Sequence, residues 1–376
     1  MKKIAPVFIL TLSFLMIFFC SKENGKDIIK EIKKDEMSNG KVGILKQKIK
    51  DRRYSRNKMK KTVRVDFSKL EEKKMIYSPN KLLLDTKGNL YIIDFFSGQY
   101  VFHKFIPVSK SYDKFNHVLF SPPKGLGPED VSRMLDVKMF NDKLYISDDG
   151  TQSIKVFNLN GKFLKTIVVF TNGKKYFGYF SFLKNSLIVE NYYYYGDEEK
   201  FALCDVEGKS IKTFGSDIDK KHKDNRIYHD NYLSQGFEDN EYYYLPCYLG
   251  FVTKYKNDKV IFTKETIDGL QDVIVIKKET KFGPLRKIIK KIYTVLDYYI
   301  FGDYILIKSY NYKDKKSIWD IYTLNNFDYL LTISDKPYSY VVGIYKNHLI
   351  SACEKELVIY DISDLLKELK SYAEKG

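Results

Sequence analysis

Leu135–Phe140, Asn141-Asp142-Lys143 and Leu144–Asp148 form two short alternations of apolar and polar residues around a polar turn. Period-two alternation marks a half-buried strand, and Asn and Asp favour chain reversal. The stretch therefore reads as strand, turn, strand. It runs on into Ile154–Asn158, the turn Leu159-Asn160-Gly161-Lys162, and Phe163–Val168. That makes four consecutive antiparallel strands.

The first pair recurs along the chain. Lys81–Asp85 with Leu90–Asp94 precedes it. Tyr179–Leu183 with Leu187–Glu190, Leu233–Glu238 with Glu241–Leu245, Leu296–Phe301 with Tyr304–Lys308, and Val341–Tyr345 with His348–Ala352 follow. Third strands are legible at Phe201–Asp205, Trp319–Leu324 and Leu357–Asp361, and a fourth at Ser210–Phe214. Helical periodicity is nearly absent before Asp364–Glu374. Six four-stranded antiparallel units in tandem are the recipe for a β-propeller, because one blade cannot cover both of its faces and its neighbours must. The expected fold is therefore all-β, a six-bladed propeller over residues 62–362 with a short C-terminal helix in 363–376. Ring closure removes the free edges if Thr62–Phe67, with Val63, Val65 and Phe67 inward, supplies the outer strand of the last blade.

Lys124-Gly125-Leu126-Gly127-Pro128-Glu129, Leu135-Asp136-Val137, Lys143–Asp148, Ser153–Phe157 and Asn160–Phe163 together resemble the NHL-type repeat, and Leu82–Asp94 is the next best match. The chain is thus similar to six-bladed propellers of bacterial lipoproteins. The resemblance implies the fold far more strongly than any activity.

The N-terminus carries an address. Met1-Lys2-Lys3 leads into an apolar run, Ile4–Phe19, which is short for a spanning helix and has the pattern of a secretory signal. Ile17-Phe18-Phe19-Cys20 resembles the lipobox of bacterial lipoproteins, which implies a signal peptide over 1–19 and lipid attachment at Cys20. An uncleaved anchor is the alternative. Either places the chain outside the cytoplasmic membrane, in the cell envelope.

The formal charge of +16 invites a nucleic-acid reading until the charge is located. Residues 21–61 hold 15 basic against 6 acidic residues, and Lys277–Lys291 holds seven basic residues and one acid. The rest of the propeller is nearly neutral. The charge belongs to one basic tether (20–61) and one insertion, so a membrane surface is expected before a polynucleotide, with Arg286, Lys287, Lys290 and Lys291 as the membrane or partner surface.

Few motifs carry chemistry. HExxH, GxSxG and CxxC are absent, and Gly208-Lys209-Ser210 reads as a hairpin turn. Cys204, Cys247 and Cys353 read as buried thiols, with one inter-blade disulfide as the alternative, and the five histidines lack metal-ligand spacing. Asp94, Asp148 and Glu190 end the second strands of three blades, so they emerge at one radius on one face. They could take a divalent cation through oxygen ligands or serve acid–base chemistry, or they cap adjoining turns. Tyr192, Tyr193, Tyr194 and Tyr195 could offer an aromatic platform to a glycan or peptide, or fill strands. No cofactor is predicted beyond that cation. The expected function is a monomeric, membrane-anchored module binding a protein, peptide or glycan. A lactonase- or lyase-type enzyme using a central metal is the alternative, and a structural envelope component the next.

Overall fold

In a computed structural model, the protein is a ring of six blades. The structure describes residues 28–32, 44–55, 59–70, 75–109, 112, 114–184, 186–191, 199–214, 231–235, 240–247, 250–269, 273–280, 283–290, 295–311, 316–333, 341–353 and 355–374.

Blade 1 is Pro79–Leu84, Leu90–Phe96, Gln99–Pro107 and Phe115–Phe120, from the axis outward. Blade 2 is Met134–Phe140, Lys143–Asp148, Ser153–Asn158 and Phe163–Ile167. Blade 3 begins at Phe180–Leu183 and ends at Ser210–Phe214, blade 4 runs from Asn231–Gln235 to Lys259–Glu265, and blade 5 from Asp297–Phe301 to Tyr329–Ile333. Blade 6 takes three strands from the C-terminal side, Val341–Tyr345, His348–Ala352 and Glu356–Asp361. Its outer strand is Lys60–Asp66, which places Val65 opposite Leu357 and Asp66 opposite Glu356. The expected closure is therefore the observed one, with one added detail: Thr62 bulges out of register between Lys61 and Val63.

The turns follow from local chemistry. Asp85 accepts from Lys87 N, Asn89 N and Asn89 Nδ2, closing the first hairpin of blade 1. Asn158 and Asp205 each accept from the backbone two and four residues on, in the third turns of blades 2 and 3. The second of these contains Gly208-Lys209-Ser210, confirming it as a hairpin turn.

The core lies between the blades. Phe67, Leu82, Leu90, Ile92, Phe105, Ile350, Leu357 and Ile359 seal blade 6 against blade 1. Phe201 of blade 3 meets Tyr242, Tyr244 and Tyr255 of blade 4. Tyr242, Tyr243 and Tyr244 are all fully buried, because both faces of a blade strand are covered. Each such ring contributes on the order of 2 kcal/mol by burial.

Lysines add a second, polar connection between neighbouring blades. Lys104 of blade 1 donates to Leu159 O in the third turn of blade 2, at 3.4 Å. Lys165 of blade 2 donates to Val206 O of blade 3 at 3.2 Å, and Lys212 of blade 3 pairs with Asp258 of blade 4 at 3.0 Å. Lys254 and Lys264 of blade 4 donate to Asn325 O and Asn326 O of blade 5.

Part of the basic segment expected to be a solvated tether is seated on the ring. Ile44–Leu45 pairs in parallel with Thr263 and Lys264 as a fifth strand of blade 4. Gln47 Nε2 donates to Glu265 O and Phe327 O, and its Oε1 accepts from Tyr329 N. Arg52 forks onto Asp320 at 3.2 and 3.0 Å and reaches Asp268 at 2.7 Å. Charge is thus spent on specific partners in blades 4 and 5, where composition alone suggests only solvation. The helix Ser363–Ala373 packs Leu365 and Leu369 against the interface of blades 5 and 6.

Candidate functional site

The predicted acids occupy equivalent places. Asp94 stands opposite Pro79 and Asp148 opposite Met134, each partner at the start of an inner strand, and in blade 5 the matching place is taken by Lys308, opposite Asp297. Asp94 accepts from Tyr77 N at 2.9 Å and Ser78 N at 2.5 Å. Asp148 accepts from Ser132 N, Arg133 N, Thr151 N and Thr151 Oγ1 at 2.6–3.0 Å. These two carboxylates hold the connections into their blades, which is the capping arrangement. Glu190 is buried 3.9 Å from Lys200, whose ammonium donates to Tyr244 OH. Among the described residues, no three His, Cys, Asp or Glu side chains are grouped to hold a metal ion.

Cys20, Tyr192, Tyr193, Tyr194, Tyr195 and Lys291 lie outside the described residues. Arg286, Lys287 and Lys290 lie on the strand Gly283–Lys290, in a separate sheet formed by the chain between blades 4 and 5. Cys204 and Cys247 are buried thiols as expected, and Cys353 is partly exposed. Burial pushes the Cys204 thiol up to about 12, which leaves it unreactive.

Polar groups converge elsewhere, on the ring axis. A cavity of about 310 Å³ is lined by the inner strands of blades 1, 2, 3 and 5, including Lys81, Lys138, Ser181, Asp297 and Tyr298. Lys138 of blade 2 donates to the phenol oxygen of Tyr298 of blade 5 at 2.8 Å. Blades 2 and 5 are opposite in a ring of six, so this bond spans the channel. Asp136 lies 3.9 Å from Lys81 and 3.6 Å from Lys138. Both ammonium groups also stand near the Tyr298 ring, 5.6 and 5.5 Å from its centroid.

The electrostatics are those of a partly dehydrated cluster. Burial raises the Asp297 pKa, opposed by Lys81 and Lys308. Burial lowers Lys308, opposed by Asp297. For Lys81, burial acts downward, yet the carboxylates of Asp136 and Asp297 outweigh it and hold the ammonium charged. Two cations, Lys81 and Lys138, and the Asp297 carboxylate thus line one concavity, with Asp136 behind both lysines, an arrangement suited to a small polar ligand with an anionic group.

Tyr298 is visible in the sequence as part of a Tyr pair, while Lys81, Asp136, Lys138 and Asp297 are missed. Their signal is a charged residue placed inside an otherwise apolar innermost strand, single in blades 1 and 5 and alternating as Asp136 and Lys138 in blade 2.

Neither a protein-family model nor a curated protein matches the chain. Solved structures do. A DUF4221-family member from Bacteroides vulgatus superposes with a TM-score of 0.52 at 9% identity, over 81% of this chain and 97% of that one. Virginiamycin B lyase from Staphylococcus aureus gives 0.45 at 8% identity, over 81% and 99%. BamB from Moraxella catarrhalis gives 0.38 at 10%, over 90% and 99%. At such identities the likeness concerns the fold alone.

Proposed function

We propose that the protein is a lipid-anchored, extracytoplasmic binding module whose ligand, a small polar molecule or peptide end with an anionic group, seats in the channel at Lys81, Lys138 and Tyr298. The observation that carries the reading is the convergence of charged side chains from blades 1, 2 and 5 on one axial cavity. Burying charge costs free energy unless it is paired, and a pure scaffold would fill such a channel with apolar side chains. The signal-like run and Cys20 supply the address.

The test is direct. Full-length protein is screened by calorimetry against acidic glycans, amino acids and peptides, beside Lys138→Gln and Tyr298→Phe. A ligand that binds wild type and loses about tenfold or more in affinity with Lys138→Gln supports the site, since a charge-assisted bond contributes about 1.5–3 kcal/mol. A ligand bound equally by all three proteins would move the site away from the channel.

A further inference from the structure

The chain between blades 4 and 5 leaves the ring as a hairpin, Val273–Thr280 with Gly283–Lys290, and takes up Ile28–Ile32 as its third strand. The register sets Lys277 opposite Arg286 on one side and opposite Ile28 on the other. Like charges directly opposite in a sheet repel. An array of anions laid along the sheet converts that repulsion into attraction. The remaining propeller is nearly neutral, so such anions are drawn to this sheet and to the basic segment that supplies its third strand.

The third strand fixes where those anions are. Ile28 stands eight residues after Cys20, a reach of at most about 28 Å even when fully extended. Isoleucine and leucine are mixed with basic residues in Ile28–Ile32 and Gly283–Lys290, and the apolar run Val273–Ile276 leads directly into Lys277-Lys278, a composition suited to the boundary between headgroups and acyl chains.

We propose that this three-stranded sheet is the surface on which the protein lies against anionic phospholipid headgroups. The proposal takes its geometry from the Cys20 anchor and so rests on that reading. It orients the ring: the connection between blades 4 and 5 faces the membrane, and blades 1 and 2 stand farthest from it.

Full-length protein is reconstituted into vesicles of phosphatidylcholine, alone or with phosphatidylglycerol at about one third of the lipid, and treated with trypsin. Cleavage after Arg286 and Lys287 is expected to be about tenfold slower on the anionic vesicles, since each basic residue near such a surface gains about 1 kcal/mol. Molar salt should restore it, and so should K277E/K278E/K290E/K291E, with Trp319 fluorescence confirming that the variant ring is folded. Equal cleavage on both vesicles, with a fatty acid on Cys20, overturns the surface and leaves the anchor. Protection without a fatty acid on Cys20 overturns the anchor and keeps the surface.

Discussion

Lys138 donates to the phenol oxygen of Tyr298 at 2.8 Å, joining opposite blades across the axis. Tyr298→Phe removes the acceptor from a lysine whose side chain is 15% exposed. The expected loss in urea unfolding is about 1.5 kcal/mol. Pairing it with Lys138→Met removes both partners and should cost less than the two single losses added together. Strict additivity of the cycle would show that the bond contributes nothing.

Thr62 Oγ1 donates to Ile359 O at 3.0 Å across 297 residues of chain. Deleting residues 62–68 removes this bond, the outer strand of blade 6 and the buried Phe67. The expected destabilisation is about 5 kcal/mol or more, summed over Val63, Val65 and Phe67. Thermal unfolding reads it, and an unchanged Tm would refute ring closure by this strand.

Arg52 faces the fully buried Asp320 and the nearby Asp268. Arg52→Ala leaves a carboxylate buried without its counter-charge, at a cost of about 3 kcal/mol. Arg52→Lys keeps the charge but loses the planar fork, so its loss should fall between wild type and Ala. Denaturant titration ranks the three. Equal stability of Ala and wild type would mean that the segment 44–55 does not hold the ring.

Two turn glycines separate backbone strain from crowding. Gly161 has φ +82°, and a Cβ there would meet Phe120 Cδ2 of the preceding blade at 2.5 Å. Gly173 has φ +74° and open space around it. Gly173→Ala should therefore cost about 1 kcal/mol, from conformation alone. Gly161→Ala should cost about 1–3 kcal/mol more, because two blades must part. Equal losses would mean that the blades do not press on that turn.

His103 is buried, with its Nδ1 3.1 Å from His117 Nε2. Burial first, then the neighbouring His117, holds its pKa down to about 3. The unfolded chain protonates this histidine near its ordinary 6.5 and the folded chain does not. Below that pH the unfolded state binds more protons, so His103 costs stability as pH falls from 6.5 toward 3, by up to about 1.4 kcal/mol per unit. Asp94, 3.8 Å away, has its pKa raised by burial and acts in the opposite sense above its ordinary value. Comparing wild type with His103→Leu isolates the histidine. A difference in unfolding free energy that stays constant from pH 7 to pH 4 would rule out the buried neutral ring.

The blades are legible because each repeats a local code: alternation such as Leu144–Asp148, then a turn such as Asn158–Lys162, whose side chain closes it within four residues. Asp94 and Asp148 are legible as a repeat position, and their partners are again local. Gln47 and Arg52 are not, because nothing near them in sequence distinguishes a solvated polar side chain from one bound 216 to 282 residues away. The axial cluster falls between these cases. Lys138 stands on a recognisable strand, but its meaning depends on Tyr298, brought opposite by the curvature of the whole ring.

Closure by the first strand also sets a timetable. A chain made from its N-terminus presents Lys60–Asp66 long before Glu356–Asp361 exists to receive it. Throughout that interval the strand is an unsatisfied edge, and the matching edge of another copy suits it as well as its own. Until Glu356–Asp361 emerges the ring cannot close, so in a chain made from its N-terminus the first strand of the propeller is among the last to find its place.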